Sequence, residues 1–436
     1  MGESEGPSAT DKLYQPNRRE LLGATAGVAA LGCGPRAGSS IEEDPPSSAD
    51  RAPEIEALLA DNIYTRLLGV RPHLGAHEHV SRLGGSRMPE QVVAAMAEAN
   101  DYLVDMHALS LAAGRRVAEL IGADDAIVTA GGYSAMTLGA AACLTGTDPE
   151  RIEALPAVRW RRRECLLPPG HRFEYDRAYR DAGMQLVEAG DRAEMLQRLG
   201  DATAMVAVLA LTEKQVTFAP PVPVAWGEAP AASTILPAEA IAIAGKRGVP
   251  VLVDMASDLP PPSNLSRFLD LGADLVVVSG GKAIGGPQST GILAGRSDLL
   301  AAARLNHAPN TAIGRGMKVG KEEIVGLVVA LERYLALDHE AEIARWNTKA
   351  RWLADALGGV PGLEARFSRN TMGYADVELL WDPERLSLSA DELKTRLREG
   401  NPPVEYDLTV RTRLLRDGEE VLVARRIREV FESAGA

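Results

Sequence analysis

VVVSGGKAIGGPQSTGIL, residues 276 to 293, sets a single amine among small residues directly after a run of branched apolar ones. Val276, Val277 and Val278 predict a strand buried on both faces. Gly280, Gly281, Gly285 and Gly286 remove side-chain bulk around Lys282, which suits a ligand that approaches closely. The ordinary reading of such a residue is a loop lysine whose charge reaches water. The other is an amine partly withdrawn from water, with its pKa lowered and its nitrogen able to attack a carbonyl and form a Schiff base. This stretch alone leaves both open.

The rest of the chain narrows the choice. At 436 residues it exceeds what a single core holds, which predicts one large and one small domain. The 47 basic and 60 acidic residues give a formal charge of -13, which disfavours non-specific attraction to nucleic acid. Cys33, Cys143 and Cys165 can build no disulfide framework, and their spacing is not that of a zinc site, so no metal is expected.

The first residues read differently. Arg18 and Arg19 precede GATAGVAALG, an apolar stretch too short to span a bilayer, so residues 1 to 33 read as a twin-arginine export signal that engages that export machinery. Ala30-Leu31-Gly32-Cys33 is a loose lipid-attachment box. The expected location is therefore outside the cytoplasm, periplasmic or membrane-anchored through Cys33, with a cytoplasmic protein as the alternative. Residues 34 to 56, rich in Pro, Ser, Gly and acids, read as a flexible linker.

From about residue 57 helix and strand patterns alternate. PEQVVAAMAEANDYLVDM and LAAGRRVAELIG carry helical spacing, and AIVTAGG, ECLLPP, MQLVEAG, TAMVAVLAL, VPVLVDMAS and ADLVVVSGG read as strands. The fold class is α/β, a mostly parallel sheet covered on both faces, over residues 57 to 340. A long helical stretch from about 320 to 357 leads to a smaller α+β domain, residues 341 to 436, in which TMGYADVELL and PPVEYDLTV supply strands.

Ligands of open parallel sheets sit beyond the carboxyl ends of the strands. Three groups fall there. Gly131-Gly132-Tyr133-Ser134 lies between a strand and a helix, where free amides favour a phosphate. Asp254 closes VPVLVD; it could cap a loop or hold a proton on a pyridine nitrogen. Lys282 closes the third, with Ser279 able to donate to phosphate. Anchor, ring-nitrogen partner and covalent attachment are together what pyridoxal 5'-phosphate requires.

With these residues the chain resembles, over roughly residues 60 to 435, the family of L-seryl-tRNA(Sec) selenium transferase and D-glucosaminate-6-phosphate ammonia-lyase, within fold type I of the pyridoxal phosphate enzymes (aspartate aminotransferase-like). The matching stretches are IVTAGGYSAMTLGAAACLTG, PPGHRFEYDRAYRDAGMQLVEAG, IAIAGKRGVPVLVDMASDLPP, GADLVVVSGGKAIGGPQSTGILAGR and GRGMKVGKEEIVGL. The resemblance implies that Lys282 is the Schiff-base lysine and that Asp254 pairs with the ring nitrogen. It places Gly131, Gly132, Tyr133, Ser134 and Ser279 around the phosphate and His171 against the ring face. It also puts Arg315 and Lys318 near the site, reaching it across the interface of a homodimer or higher homo-oligomer; the rival is a surface cluster capping the next helix.

One segment departs. Where relatives read like INAAGTYTRLGGS, residues 74 to 86 read LGAHEHVSRLGGS, with Glu78 and His79 in place of glycine and threonine. His77, Glu78 and His79 could be an acid-base pair, metal ligands or solvated loop. Selenium transfer needs a transfer RNA and, in those relatives, an additional amino-terminal helical domain, which the acidic linker here does not resemble. The expected substrate is thus a small amino acid or amino sugar acid, with no nucleic acid partner, and the expected reaction an α,β-elimination. The alternatives are the transferase itself and an exported binding protein that keeps the fold without turnover.

Overall fold

The computed structural model describes residues 48–217, 235–369, 374–407 and 409–434. The expected export signal, with Arg18, Arg19 and Cys33, and most of the expected linker lie outside them. Residues 48 to 56 of that linker are helical, within Ser48–Ala60. In chain order the strands are β1 (Leu74–Ala76), β2 (Asp125–Thr129), β3 (Glu164–Leu167), β4 (Gln185–Glu188), β5 (Thr203–Leu209), β6 (Val251–Asp254), β7 (Leu275–Ser279), β8 (Gly291–Gly295), β9 (Leu363–Arg369), β10 (Ala375–Trp381), β11 (Val404–Tyr406) and β12 (Val410–Arg411).

Seven of them form one sheet in the order β2-β8-β7-β6-β5-β3-β4. β7, β6, β5, β3 and β4 pair in parallel, while β8 runs antiparallel to both its neighbours. The valine run behaves as its composition predicts: Val276, Val277 and Val278 are at most 1% exposed. Val276 and Val278 enter the core on one face, and Val277 joins Leu252 and Leu293 in the core on the other. The second face is covered by the helix Gly131–Thr145, whose middle is buried throughout.

Lys282 therefore sits in the turn between two antiparallel neighbours, β7 and β8, where Ser279 pairs with Gly291. The glycines there serve the turn itself. A Cβ on Gly281 would lie 2.5 Å from Gln288 Cα, and one on Gly280 would lie 2.3 Å from Thr290 Oγ1. The two arms of the loop approach too closely for any side chain, so the ligand-clearance reason read from the sequence is corrected for these two positions.

Two helical readings also change. The stretch 320–357 is two helices, Lys321–Ala336 and His339–Ala356, with Asp338 capping the second through the Ala341 amide. The segment DYLVDM leaves the helix Glu90–Asn100, and Asp105 caps a new one, Met106–Ile121. In each case an aspartate side chain offers the backbone a helix start that a purely apolar count overlooks.

β9, β10 and β12 form an antiparallel sheet, and β1 pairs in parallel with β11. Leu74 and Ala76 share a core with Val377, Leu393, Val404 and Phe431, and Arg425 pairs with Glu56 of the first helix. The first helix and β1 thus pack with the carboxy-terminal elements. Pairing across more than 300 residues leaves no local trace in sequence.

The start of β8 also fixes the turn before the helix Gly131–Thr145. A Cβ on Gly291 would fall 2.4 Å from the Gly131 carbonyl carbon and 2.6 Å from its oxygen, both backbone atoms that cannot step aside. Gly291→Ala should cost about 1–3 kcal/mol by overpacking, read as a lower urea midpoint at unchanged slope; a midpoint equal to wild type would show that the turn is not set by this contact.

Candidate active site

Asp254 is the last residue of β6 and lies on the sheet face of Leu252, toward the helix Gly131–Thr145. It is 5% exposed, and the Ala256 amide donates to Oδ1 at 2.9 Å. Burial pushes its carboxyl pKa up, against the Ala256 hydrogen bond and the Lys282 charge. Burial pushes the Lys282 ammonium pKa down, and the Asp254 charge opposes that shift. The two groups lie within reach of each other's charge at the ends of adjacent parallel strands. Lys282 Nζ donates to Ser257 Oγ at 2.6 Å, so the loop after β6 also orients the amine.

Gly131 opens its helix at φ +79°, a left-handed conformation that favours glycine, and no side chain caps the first turn. Its free amides thus remain available to an anion. Gly132 stands beside Val277 and Ala256; a Cβ there would meet them at 3.5 and 3.6 Å. Ser134 Oγ donates to the Ala130 carbonyl at 2.8 Å, and the Tyr133 hydroxyl donates to Asp181. Ser279 is the last residue of β7 and pairs with Gly291, whose own strand start lies against Gly131.

His171 is 2% exposed and held by both ring nitrogens. The Leu209 amide donates to Nδ1 at 2.8 Å and Nε2 lies 2.7 Å from the Ile235 carbonyl. A backbone amide only donates, so Nδ1 is the bare nitrogen and Nε2 carries the hydrogen. Burial takes its pKa down to about 4. Neither ring nitrogen is free to bind a ligand.

Arg315 and Lys318 are exposed, and neither makes an ion pair among the described residues. Among the described residues the hydrogen-bond and charge partners of Lys282 and Asp254 do not include either of them. Glu78 and His79 are brought in, by the segment 74–86. Ser86 Oγ donates to the Gly281 carbonyl at 3.0 Å and Gln288 Nε2 to the Ser81 carbonyl at 2.7 Å, which seats the segment on the lysine loop. Burial, then the Arg413 and Lys282 charges, hold the His79 pKa well below the imidazole range. The three-residue ligand reading of His77, Glu78 and His79 is not supported: His77 Nε2 lies 3.2 Å from His73 Nε2, and its Nδ1 meets the Glu78 carbonyl.

Sequence reasoning missed Ser257, Tyr374, Arg411 and Arg413. Both guanidiniums pair with Glu78, and Arg413 Nη1 donates to the Tyr374 hydroxyl at 2.5 Å. Arg411 ends β12 and Arg413 lies in the turn after it, so no periodicity marks the pair in the sequence.

A pyridine-sized ring fits these residues chemically. One side offers a buried carboxylate to which, among the described residues, only a backbone amide donates. The neighbouring turn offers a half-buried amine, and the helix after β2 starts without a side-chain cap.

No family model matches the chain. It is 33% identical over 380 residues to 5'-C-glycyluridine monooxygenase-decarboxylase of Streptomyces sp, covering 85% of this chain and 92% of that one. It is 27% identical over 390 residues to D-glucosaminate-6-phosphate ammonia lyase of Salmonella typhimurium, covering 86% and 100%. A shorter match, 29% over 188 residues, joins 36% of this chain to 40% of the L-seryl-tRNA(Sec) selenium transferase of Aquifex aeolicus. Among solved structures, a D-glucosaminate-6-phosphate ammonia-lyase superposes with a TM-score of 0.73 at 26% identity, covering 86% of this chain and 100% of that one. Serine palmitoyltransferase from S. paucimobilis, at 16% identity and a TM-score of 0.52 over 83% and 88%, shares the fold.

Two titrations check the site. Replacing Asp254 by Asn removes the charge that favours the Lys282 ammonium, so the pKa of that lysine, followed by NMR of the cofactor-free chain, should fall further below the ordinary lysine value; a rise would show that the groups do not interact. His171 has a folded pKa of about 4 against an ordinary 6.5, so the unfolded chain takes up its proton first. Stability is intact above pH 6.5 and falls toward pH 4, by up to roughly 3 kcal/mol for a displacement of this size. The loss should be smaller in His171→Asn, measured by urea unfolding at pH 7 and 4.5; equal losses would exclude His171 as the source.

The chain belongs to the fold type I family of pyridoxal phosphate-dependent enzymes that includes these ammonia-lyases and selenium transferases.

Proposed function

We propose that the protein releases ammonia from a sugar-derived 2-amino-3-hydroxy acid, with pyridoxal phosphate held between Lys282 and Asp254. The observation that carries this reading is the placement of a buried Asp254 at the end of β6 and a half-buried Lys282 in the turn after β7, each within reach of the other's charge. The substrates named for two relatives support the substrate class. Glucosaminate bears its amine between a carboxylate and a hydroxyl-bearing carbon, and 5'-C-glycyluridine joins a glycine unit to the 5' carbon of a nucleoside.

Lys282 would hold the cofactor aldehyde, Asp254 the ring nitrogen, and Gly132, Ser134 and Ser279 with the helix amides the phosphate. When bound, the cofactor withdraws electrons from the amino acid joined to it and acidifies its α-hydrogen. The Lys282 amine, its pKa lowered by burial, takes that proton. The same nitrogen, then charged, is the proton source for the hydroxyl that leaves the neighbouring carbon with its bonding pair. Ser257 Oγ holds the amine in place for both transfers. Water lost in elimination is regained on hydrolysis, so the net products are a 2-oxo acid and ammonia.

The test is to incubate the holoprotein with 2-amino-3-hydroxy acids, D-glucosaminate 6-phosphate and 5'-C-glycyluridine among them, while following ammonia, 2-oxo acid, carbon dioxide and oxygen. The expected result is equal ammonia and 2-oxo acid without oxygen uptake. Turnover should fall roughly a thousandfold in Lys282→Ala, on the scale of a lost general base. Oxygen uptake with release of carbon dioxide would replace elimination by the chemistry named for the Streptomyces relative. A spectral change on adding amino acid without any product would make the chain a binding protein, and a chain that takes up no cofactor would remove the reading altogether.

A further inference from the structure

His73 and His77 flank β1, and their rings meet beside Gly75. The two Nε2 atoms are 3.2 Å apart and the ring centroids 5.4 Å. Gly75 leaves the space for this, since a Cβ there would already stand 3.4 Å from His77 Nε2. His77 is 2% exposed, and its Nδ1 lies against the Glu78 carbonyl. A carbonyl only accepts, so Nδ1 carries the ring hydrogen and Nε2 presents a lone pair to His73. β1 pairs in parallel with β11, and the partner of Gly75 is Glu405, which therefore extends on the same face as the two rings.

The proposed reaction makes no use of this pair. A backbone carbonyl that fixes one ring nitrogen and leaves the other bare is how ligating histidines are oriented toward a metal. Two nitrogens bound to one zinc ion at a tetrahedral angle stand about 3.3 Å apart, close to the 3.2 Å that separates His73 from His77. Burial lowers the pKa of both imidazoles, that of His77 to about 4, which keeps them in the neutral form that ligates. At both rings the Glu405 charge outweighs that of each nearby arginine, and Asp407 adds to it at His77. Among the described residues no three such side chains already converge on one point, and Glu405 pairs with Arg398 through both oxygens. Arg398 is 55% exposed, so it stays hydrated when Glu405 turns back toward the rings.

We propose that His73 and His77, with Glu405 as third ligand and water as the fourth, bind a divalent transition ion of the zinc type. The His73 hydrogen moves from Nε2 to Nδ1, and the ion takes its place between two neutral rings. Two imidazoles and a carboxylate with an open position suit zinc and its neighbours in the first transition row better than magnesium or calcium. The ion clamps β1 to β11 and so fixes the start of the segment that carries Glu78 and His79 to the Lys282 loop. The site is independent of the cofactor reading.

The experiment titrates zinc into the full-length, tag-free holoprotein by calorimetry and repeats the titration with cobalt(II), whose visible absorption reports the ligand set. One ion per chain is expected, with the intense visible bands of a four-coordinate cobalt site. His73→Asn and Glu405→Gln should each weaken zinc binding about tenfold or more, since the loss of even an outer partner of a ligand has an effect of that size. His107→Asn, at an exposed histidine on the helix Met106–Ile121, should leave the affinity unchanged. Zinc should raise the melting temperature of the wild type and not that of His73→Asn. His73 and Glu405 are less buried than His77, so these two variants carry the test if His77→Asn does not fold. A wild type that binds no zinc overturns the proposal, as does equal affinity in a folded His73→Asn or Glu405→Gln, or an equal loss in His107→Asn. The cofactor-free chain should bind zinc with the same affinity, so failure of the cofactor reading would show separately.

Discussion

A buried carboxylate at the end of one strand and a half-buried amine in the turn after its neighbour lie within reach of each other's charge, and the remaining features of the site are arranged around that pair. Lys282 and Asp254 each lose hydration, and each partly offsets the other's loss. Burial moves an amine toward neutrality and a carboxyl toward protonation, so the pair is poised for proton chemistry where exposed groups would be fixed in charge. The sheet makes this possible. Valines buried on both faces fix β7 between β6 and β8, and the loop they release is closed by glycines that allow its two arms to touch.

The segment from β1 to Arg87 ties the carboxy-terminal elements to this loop. It begins as a strand paired with β11, passes Glu78 against Arg411 and Arg413, and ends with Ser86 on Gly281 and Arg87 on Glu419. A change at the arginine pair therefore has a short covalent route to the residues around the amine.

Much of the large sheet was legible because its strands are continuous apolar runs bounded by glycine, a pattern that survives without knowledge of the partner. The antiparallel direction of β8 was not, since GILAG reads the same in either orientation. Lys282 and Asp254 stood out because each closes such a run. Glu78 stood out only as a departure; its partners lie more than 330 residues away, where VRTRLL resembles a solvated stretch. Ser257 was hidden for another reason: a serine three residues beyond a buried aspartate has no signal until the loop brings it to the amine. The glycines around Lys282 were recognised as necessary for a reason the loop packing replaces.

Reduction of the holoprotein with borohydride, followed by peptide mass mapping, tests the central claim most directly. The account predicts a pyridoxyl group on the ε-nitrogen of Lys282 and on no other lysine. A modified Lys214 or Lys318 with Lys282 unmodified would contradict it.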